Sequence, residues 1–435
     1  MTPPVMVLRH DTDRLTTLST ELAISSPLFF GYDIADRFSD KLDEFLIGLP
    51  ADKVFIVADK TVYKIHGELG RSLLEGRRNA EIVLIEPGEA SKSWGGLESL
   101  CEHLMARGAS KRTVIVAFGG GSAGNLAGLA ASLLFRGIRY VEVPTSFQHL
   151  TDGCLSNKQA INGRSGKNHF GVFYAPTFVW ADAGYLASEP ERSLKAGIAE
   201  AIKNGLISQP GFIDYLQGRL RPDCLYTAAE LSDLALNTIR SKLEIIRKDP
   251  SEKHYALVLE YGHTFAHAIE SLGHGALLHG ECVAVGMKMA AHLANEQGLI
   301  SRQVLDLHYE LTDSCLGLIP RLPPSVDAQS MFATMKLDNK RTGDSLRFVL
   351  LDGLGSCANE EDEPLVTIPD NDYIVNFLER YLRTYRARGV SSVPQGGRRA
   401  ATAIRTAGAP LRKVRFRQVL PDPIGGDSES AFPRS

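Results

Sequence analysis

With 435 residues the chain is too long for one small core, and two domains are the natural expectation. Its 44% hydrophobic and 23% charged content are those of a soluble globular protein, and a formal net charge of −3 argues against a nucleic-acid binder, whose phosphate contacts need a basic surplus. Six cysteines without a CxxC pair point to reduced thiols rather than a disulfide framework or a zinc ribbon, and the sequence indicates neither an export signal nor a membrane span, so a cytoplasmic location is expected.

Residues 1–25 are expected to be loosely held. From residue 26 to 182, short β-rich runs alternate with helical stretches. KVFIVAD (53–59), AEIVLIEPG (80–88), RTVIVAFGGG (112–121) and RYVEVPTS (139–146) are apolar and β-branched, and SWGGLESLCEHLMARG between the second and third reads as a helix. This βαβ rhythm predicts a parallel sheet of buried strands.

After the third run comes GGGSAGNLAG, in which Gly119, Gly121 and Gly124 satisfy GxGxxG. Glycines there let the backbone approach a pyrophosphate, and the helix that follows offers its amides and positive dipole end. The plainer alternative is a tight glycine turn. An acidic ribose ligand about 20 residues on is not clean, because Glu142 lies within the next strand. Asp59, which ends FIVAD, is the better candidate. EPGEASKS adds Glu89 and Lys92 on a loop after a strand, which alone mean no more than solvated charge.

From about residue 190 the pattern changes to a 3.6-residue period through ERSLKAGIAEAIKNGLI, TAAELSDLALNTIRSKLEIIRKD, LEYGHTFAHAIESLG, GECVAVGMKMAAHLANEQG and DNDYIVNFLERYLRTYRARG. An α/β part (26–182) is therefore followed by a helical part (183–388), with the active site expected between them. The stretch 389–435, rich in Gly, Pro, Arg and Ser, reads as a mostly disordered tail. In EYGHTFAHAIE (260–270), His263 and His267 stand four apart, which stacks both imidazoles on one helical face. That is one way to build a metal site; a core helix with two satisfied histidines is the ordinary alternative.

The ordered series PGEASK, GGGSAGN, FRG…VPTSF, DGCLSNKQAIN, SGKN, AGIAEAIKN, EYGHTFAHAIE, HGE and DNKR, over roughly residues 50–360, is similar to the sugar phosphate cyclase superfamily, whose best-known member is 3-dehydroquinate synthase. The resemblance implies a Rossmann-like α/β N-terminal domain binding NAD, an all-α C-terminal domain carrying Co2+ or Zn2+, and a homodimer. It places the metal ligands on Glu200, His263 and His279, a set that leaves coordination positions open for substrate oxygens. His267 then faces the departing phosphate, and His274 is a surface loop residue.

The same resemblance places NAD contacts on Asp59, Glu89, Lys92, Gly121, Ser122, Ala123, Gly124, Asn125, Thr145, Ser146 and Lys167. Asn125 stands where 3-dehydroquinate synthases usually keep Asp. Phosphate contacts fall on Lys158, Asn168, His267 and Lys340, with Arg136 reaching over from a dimer partner. Asp152, Asn162, Lys203 and Lys242 fall on further substrate positions. 3-Dehydroquinate synthases carry an Arg seven residues before the first histidine of the helix, for the substrate carboxylate, and an Asn three residues before it; here these are Ala256 and Glu260. A pocket with Ala and an added Glu repels an acidic sugar. The expected substrate is a neutral sugar phosphate, and the pattern is similar to the branch that cyclises D-glucose 6-phosphate for 2-deoxystreptamine aminoglycosides. Glu260, Lys158 and His267 are the expected catalytic residues. Another cyclase, a metal-dependent polyol dehydrogenase and a non-catalytic homologue are the rival readings.

Overall fold

The computed structural model describes residues 7–10, 15–20, 26–74, 77, 79–164, 166–249, 252, 254–337 and 345–388. Apolar β-branched runs form the strands of one sheet: β1 (Val7–His10), β2 (Leu15–Thr20), β3 (Ser26–Gly31), β4 (Val54–Asp59), β5 (Ala80–Ile85), β6 (Val114–Gly119), β7 (Arg139–Pro144) and, after the hairpin β8 (Lys158–Gly163) and β9 (Gly166–Phe173), β10 (Phe178–Asp182). The sheet order is β1-β2-β3-β10-β7-β6-β4-β5. From β3 to β5 every neighbour is parallel, while β1, β2 and β3 pair antiparallel.

Val7–His10 and Leu15–Thr20 thus extend the sheet edge, within the segment expected to be loosely held. Helices α1 (Phe38–Leu46), α2 (Lys60–Leu74), α3 (Trp94–Ala106), α4 (Gly121–Leu133) and α5 (Phe147–Thr151) connect the strands. Burial on both faces explains why β4, β6 and β7 read as nearly unbroken apolar runs.

Chain order reverses across the β4–β6 pair, since β5 lies on one side of β4 and β6 on the other. The crevice at the carboxyl ends of such a pair is where α/β sheets bind ligands. Asp59 ends β4 and Gly119 ends β6, so both predicted dinucleotide signals flank this crevice.

The second part holds α6 (Glu191–Ser208), α7 (Pro210–Arg219), α8 (Ala228–Lys248), α9 (His263–Leu272), α10 (His279–Glu296), α11 (Arg302–Tyr309), α12 (Ala328–Met335) and α13 (Asn371–Arg388). It is mostly rather than wholly helical: Leu346–Phe348 pairs with Val366–Ile368, and Leu351–Gly353 with Ser356–Cys357. Helix α8 starts at a capping box in which Thr227 and Glu230 satisfy each other's backbone amides. Ile239, Phe265, Val283, Leu293 and Phe377 are buried in its core; each such side chain contributes about 1.5–3 kcal/mol when removed from water. The two parts lie within a single unit that runs to Val390, and the expected boundary falls at Asp182, the last residue of β10. The predicted tail lies outside the described residues. Among those described, no helix is long and apolar enough to cross a membrane.

Candidate active site

Three helices meet where the metal ligands were expected. Helix α9 begins at His263 rather than within LEYG, because Tyr255–Glu260 forms a 3-10 turn and Gly262 takes a left-handed φ of 75°. A Cβ at Gly262 would stand 2.6 Å from the Met287 amide nitrogen, so only glycine lets α9 lie against α10 at this height. At the start of α10, a Cβ on Gly280 would stand 1.8 Å from the Ala196 carbonyl of α6. These close approaches bring Glu200 of α6, His263 of α9 and His279 of α10 together, with ligand atoms all within 4.8 Å of one another.

His263 Nε2 lies 3.8 Å and His279 Nε2 3.3 Å from Glu200 Oε1. Their outer nitrogens are already engaged: His263 Nδ1 meets the Tyr261 carbonyl at 3.1 Å, and His279 Nδ1 meets Glu270 Oε2 at 3.2 Å. Such partners fix ring orientation and present the inner nitrogens to a cation. Glu270 in turn receives Lys167 Nζ at 2.8 Å.

The electrostatics suit a cation. Burial would raise the Glu200 carboxyl, but Lys203, His279 and His263 hold it well below the usual carboxylate range. Both Glu200 oxygens lack a directed hydrogen bond, although Lys203 Nζ is 2.6 Å away, so charge alone supports them. Burial, aided by the Lys203 charge, pushes His263 down to about 3, which leaves it a neutral donor. Burial would also lower His279, yet the Glu200 and Glu270 carboxylates on either side of its ring carry it up to about 10. A proton there stands in for the cation, and cation binding displaces it. One carboxylate with two oriented imidazoles fits Zn2+ or Co2+.

His267, one turn beyond His263, is exposed, with its ring 5.4 Å from that of His263 and 6.3 Å from that of His279. It stands beside the cluster without joining it. His274 lies in an exposed turn at a φ of 45°.

The glycine turn is connected to this cluster. Ser122 Oγ donates to Glu89 Oε2 at 3.0 Å, and Asn162 Nδ2 donates to Glu89 Oε1 at 2.9 Å. The Asn168 amide reaches Asn162 Oδ1 at 3.0 Å, and Lys92 Nζ donates to Asn168 Oδ1. Lys167, next in the chain, closes the path through Glu270 to His279. The β8–β9 hairpin, which sequence reading left unassigned, therefore carries residues expected for cofactor and phosphate into one continuous polar chain. Burial lowers Lys92, while burial of Glu89 is outweighed by Lys92 and Asn162, which lower it.

Other predicted residues take the following places. Asp59 Oδ1 caps α2 through the Thr61 and Val62 amides at 2.7 and 3.2 Å. Gly121, Ser122, Ala123 and Gly124 form the first turn of α4. The Thr145 amide bonds the Gly119 carbonyl at 3.0 Å, and Ser146 caps α5. Asn125 uses both ends of its amide within the protein, giving to the Gly121 carbonyl at 2.9 Å and accepting from the Ala160 amide at 2.9 Å. An Asp would lose the first of these bonds. Asp152 pairs with buried Lys242, and both feel the charge of Glu200.

Lys158 Nζ pairs with Glu252 Oε2 at 2.5 Å. Glu260 acts on His263 through its charge. Arg136 is exposed at the far end of α4 from the glycine turn and, among the described residues, forms no ion pair. Lys340 lies outside the described residues. Sequence reasoning gave no role to Glu270, Tyr261 or Glu252. The first bounds the EYGHTFAHAIE run, and its spacing was the available signal.

The 3-dehydroquinate synthase family profile matches the chain over residues 82–196 (N-terminal part) and 197–341 (C-terminal part). The chain belongs to this family. Within it, the chain is similar to 2-deoxy-scyllo-inosose synthase of Streptomyces kanamyceticus, with 36% identity over 86% of this chain and 97% of that protein. A 2-deoxy-scyllo-inosose synthase of Niallia circulans is 39% identical over 64% of this chain and 76% of its own. The crystal structure of a 2-deoxy-scyllo-inosose synthase complexed with carbaglucose-6-phosphate, NAD+ and Co2+ superposes with a TM-score of 0.75 at 31% identity, covering 86% of this chain and 99% of that one.

Proposed function

We propose that this member of the 3-dehydroquinate synthase family is a carbon–oxygen lyase that converts D-glucose 6-phosphate into 2-deoxy-scyllo-inosose and phosphate, for 2-deoxystreptamine-containing aminoglycosides. The observation that carries this reading is the buried Glu200–His263–His279 cluster joined to the glycine turn by the polar chain through Glu89, Asn162 and Lys167. The relatives similar over most of the chain carry the same activity in their names. Position 256 strengthens the choice of substrate. Ala256 is a methyl group buried in the helical core, with its amide tied to Asp249, and offers no charge to a carboxylate.

The donor set fits Co2+ or Zn2+ held by Glu200, His263 and His279, and the crevice between Asp59 and Gly119 fits NAD. When bound, the dinucleotide takes and returns a hydride at one ring carbon, and the cation acidifies the hydroxyls it meets. The protein's part is to place and neutralise charge. A proton leaves C5 beside the oxidised C4, the C6–O bond breaks, and phosphate departs with the electron pair. Lys158, Asn168 and His267 hold the dianion, with Lys340 and a partner copy's Arg136 completing the set. Glu260 moves a proton at a ring hydroxyl, a role its charge beside His263 supports. Asp152, Lys203 and Lys242 orient the remaining hydroxyls. Ring opening and aldol closure follow, so the atoms of glucose 6-phosphate divide into product and phosphate without net redox.

A homodimer accompanies this reading. Strand β9 exposes Phe170, Val172 and Phe173 beside Trp94, and no described strand pairs with its other edge. An apolar open edge of this kind is a template for a second copy. Phe173→Asp should shift the sedimentation of the full chain from dimer to monomer; an unchanged dimer would place the interface elsewhere.

The deciding experiment is NMR of the product formed from glucose 6-phosphate with NAD+ and Co2+, beside a phosphate-release assay. We expect the carbocycle, stoichiometric phosphate and no accumulating NADH. Accumulating NADH would instead mark a polyol dehydrogenase, and phosphate release from an acidic sugar phosphate alone would mark a 3-dehydroquinate synthase.

A further inference from the structure

Beneath the glycine turn lies a pair of buried polar side chains that the proposed reaction does not use. Glu142 sits in the middle of β7 and His149 on α5, and only 1% and 4% of their surfaces are exposed. Two glycines make room for the His149 ring, and a third lies beside it. A Cβ at Gly124 would stand 2.4 Å from its Nε2, one at Gly153 2.6 Å from its Nδ1, and one at Gly121 3.7 Å from the same atom. The ring is wedged between the first turn of α4 and the peptide that follows Asp152.

We propose that His149, braced by Glu142, is a positioning residue that couples the cofactor turn to the substrate cluster at Asp152. This rests on the reading of that turn as a dinucleotide site. Two observations carry it. The ring touches Gly121 and Gly124 on one side and Gly153 on the other, and Asp152 beside Gly153 pairs with Lys242. The pair also has unused hydrogen-bonding capacity: His149 Nδ1 lacks a partner, and neither Glu142 oxygen has a well-formed hydrogen bond although the Gln159 amide lies beside the carboxyl; native interiors rarely leave such groups unsatisfied.

His149 Nε2 is 3.9 Å from Glu142 Oε1, a packing contact rather than a hydrogen bond. Burial pushes Glu142 up to about 8 and His149 down to about 4, so both are uncharged near neutrality. A neutral imidazole either donates or accepts at Nδ1, the atom directed toward Gly121 and Gly153. It therefore sets the height of the turn relative to Asp152, and with it the distance between a bound nicotinamide and the sugar.

The test measures the NAD+ dissociation constant by calorimetry on the cobalt-loaded full chain, and kcat and KM for glucose 6-phosphate, in three variants. His149→Ala should weaken NAD+ about tenfold and lower kcat about a hundredfold with little change in KM, as a misplaced reacting pair does. His149→Asn puts an amide where Nδ1 was and should recover most of both losses, whereas His149→Gln, which mimics Nε2, should not. Equal NAD+ affinity in wild type and all soluble variants would overturn the inference, as would equal impairment of Asn and Gln. The Asn–Gln comparison decides the matter if the Ala variant fails to fold. A wild-type chain that binds no NAD+ would overturn the reading of the turn itself.

Discussion

Two places in this protein bury polar groups on different terms. Around Glu200, every buried charge faces an opposite one: Lys203 against Glu200, Glu270 between Lys167 and His279, Lys242 against Asp152. Beneath the glycine turn, Glu142 and His149 have no such partners and stay neutral instead. The first arrangement keeps a site of alternating charge ready for a cation and an anionic substrate. The second shapes a backbone surface without adding net charge beside a dinucleotide already rich in negative charge. Unpaired charge in an interior is costly, so a folded chain has only these two solutions, pairing or neutralisation.

The sharpest way to break this contrast is at the cluster. Glu200→Ala removes the one carboxylate among the ligands, and turnover should fall by about a thousandfold or more as cobalt binding is lost. Full cobalt occupancy by calorimetry in that variant would show that the cation sits elsewhere. Glu260→Asn should lower glucose 6-phosphate turnover about a hundredfold, on the scale of a lost general acid or base. Unchanged turnover would remove Glu260 from the chemistry. Glu270→Gln spares all three ligands but breaks the link between Lys167 and His279, and cobalt affinity should drop about 10- to 100-fold.

The smallest effect belongs to the neutral pair and concerns stability. The folded Glu142 carboxyl titrates at about 8 against an ordinary 4.5. Between those values the unfolded chain has shed this proton and the folded chain keeps it, so rising pH lowers stability across that window and the loss levels off above it. Glu142→Gln has no proton to lose. Its melting temperature should gain on wild type from about pH 5 to about pH 8, and a constant difference across that range would mean Glu142 is ionised in the fold.

Much of the cluster was legible beforehand because its ligands lie in short runs with distinctive order, and the strands β4, β6 and β7 because buried parallel strands are nearly unbroken apolar runs. The hairpin β8–β9 was not, since β9 is exposed along nearly all its length and so shows no inside–outside alternation. Strand β3 and strand β10 were missed because β3 follows strand β2 and β10 follows the β8–β9 hairpin, so neither is preceded by the helix that marks the βαβ rhythm. Glu142 was set aside as a ribose ligand because it lies within a strand. That was sound for the ribose and silent on what a buried acid does there. His149 gave no signal at all, because its meaning depends on Gly121, Gly124 and Gly153, which only the folded chain brings around one ring.

Strand β9 carries near its start Lys167 and Asn168, which belong to the polar chain reaching His279, and ends with Val172 and Phe173, which face solvent. Eight residues therefore tether catalytic alignment to whatever grips the outer end. Clamping that outer end would stiffen the inner one, and a bare edge would leave β9 held by its pairing with β8 alone. Under the proposed dimer, self-association and reactivity would share a single lever arm.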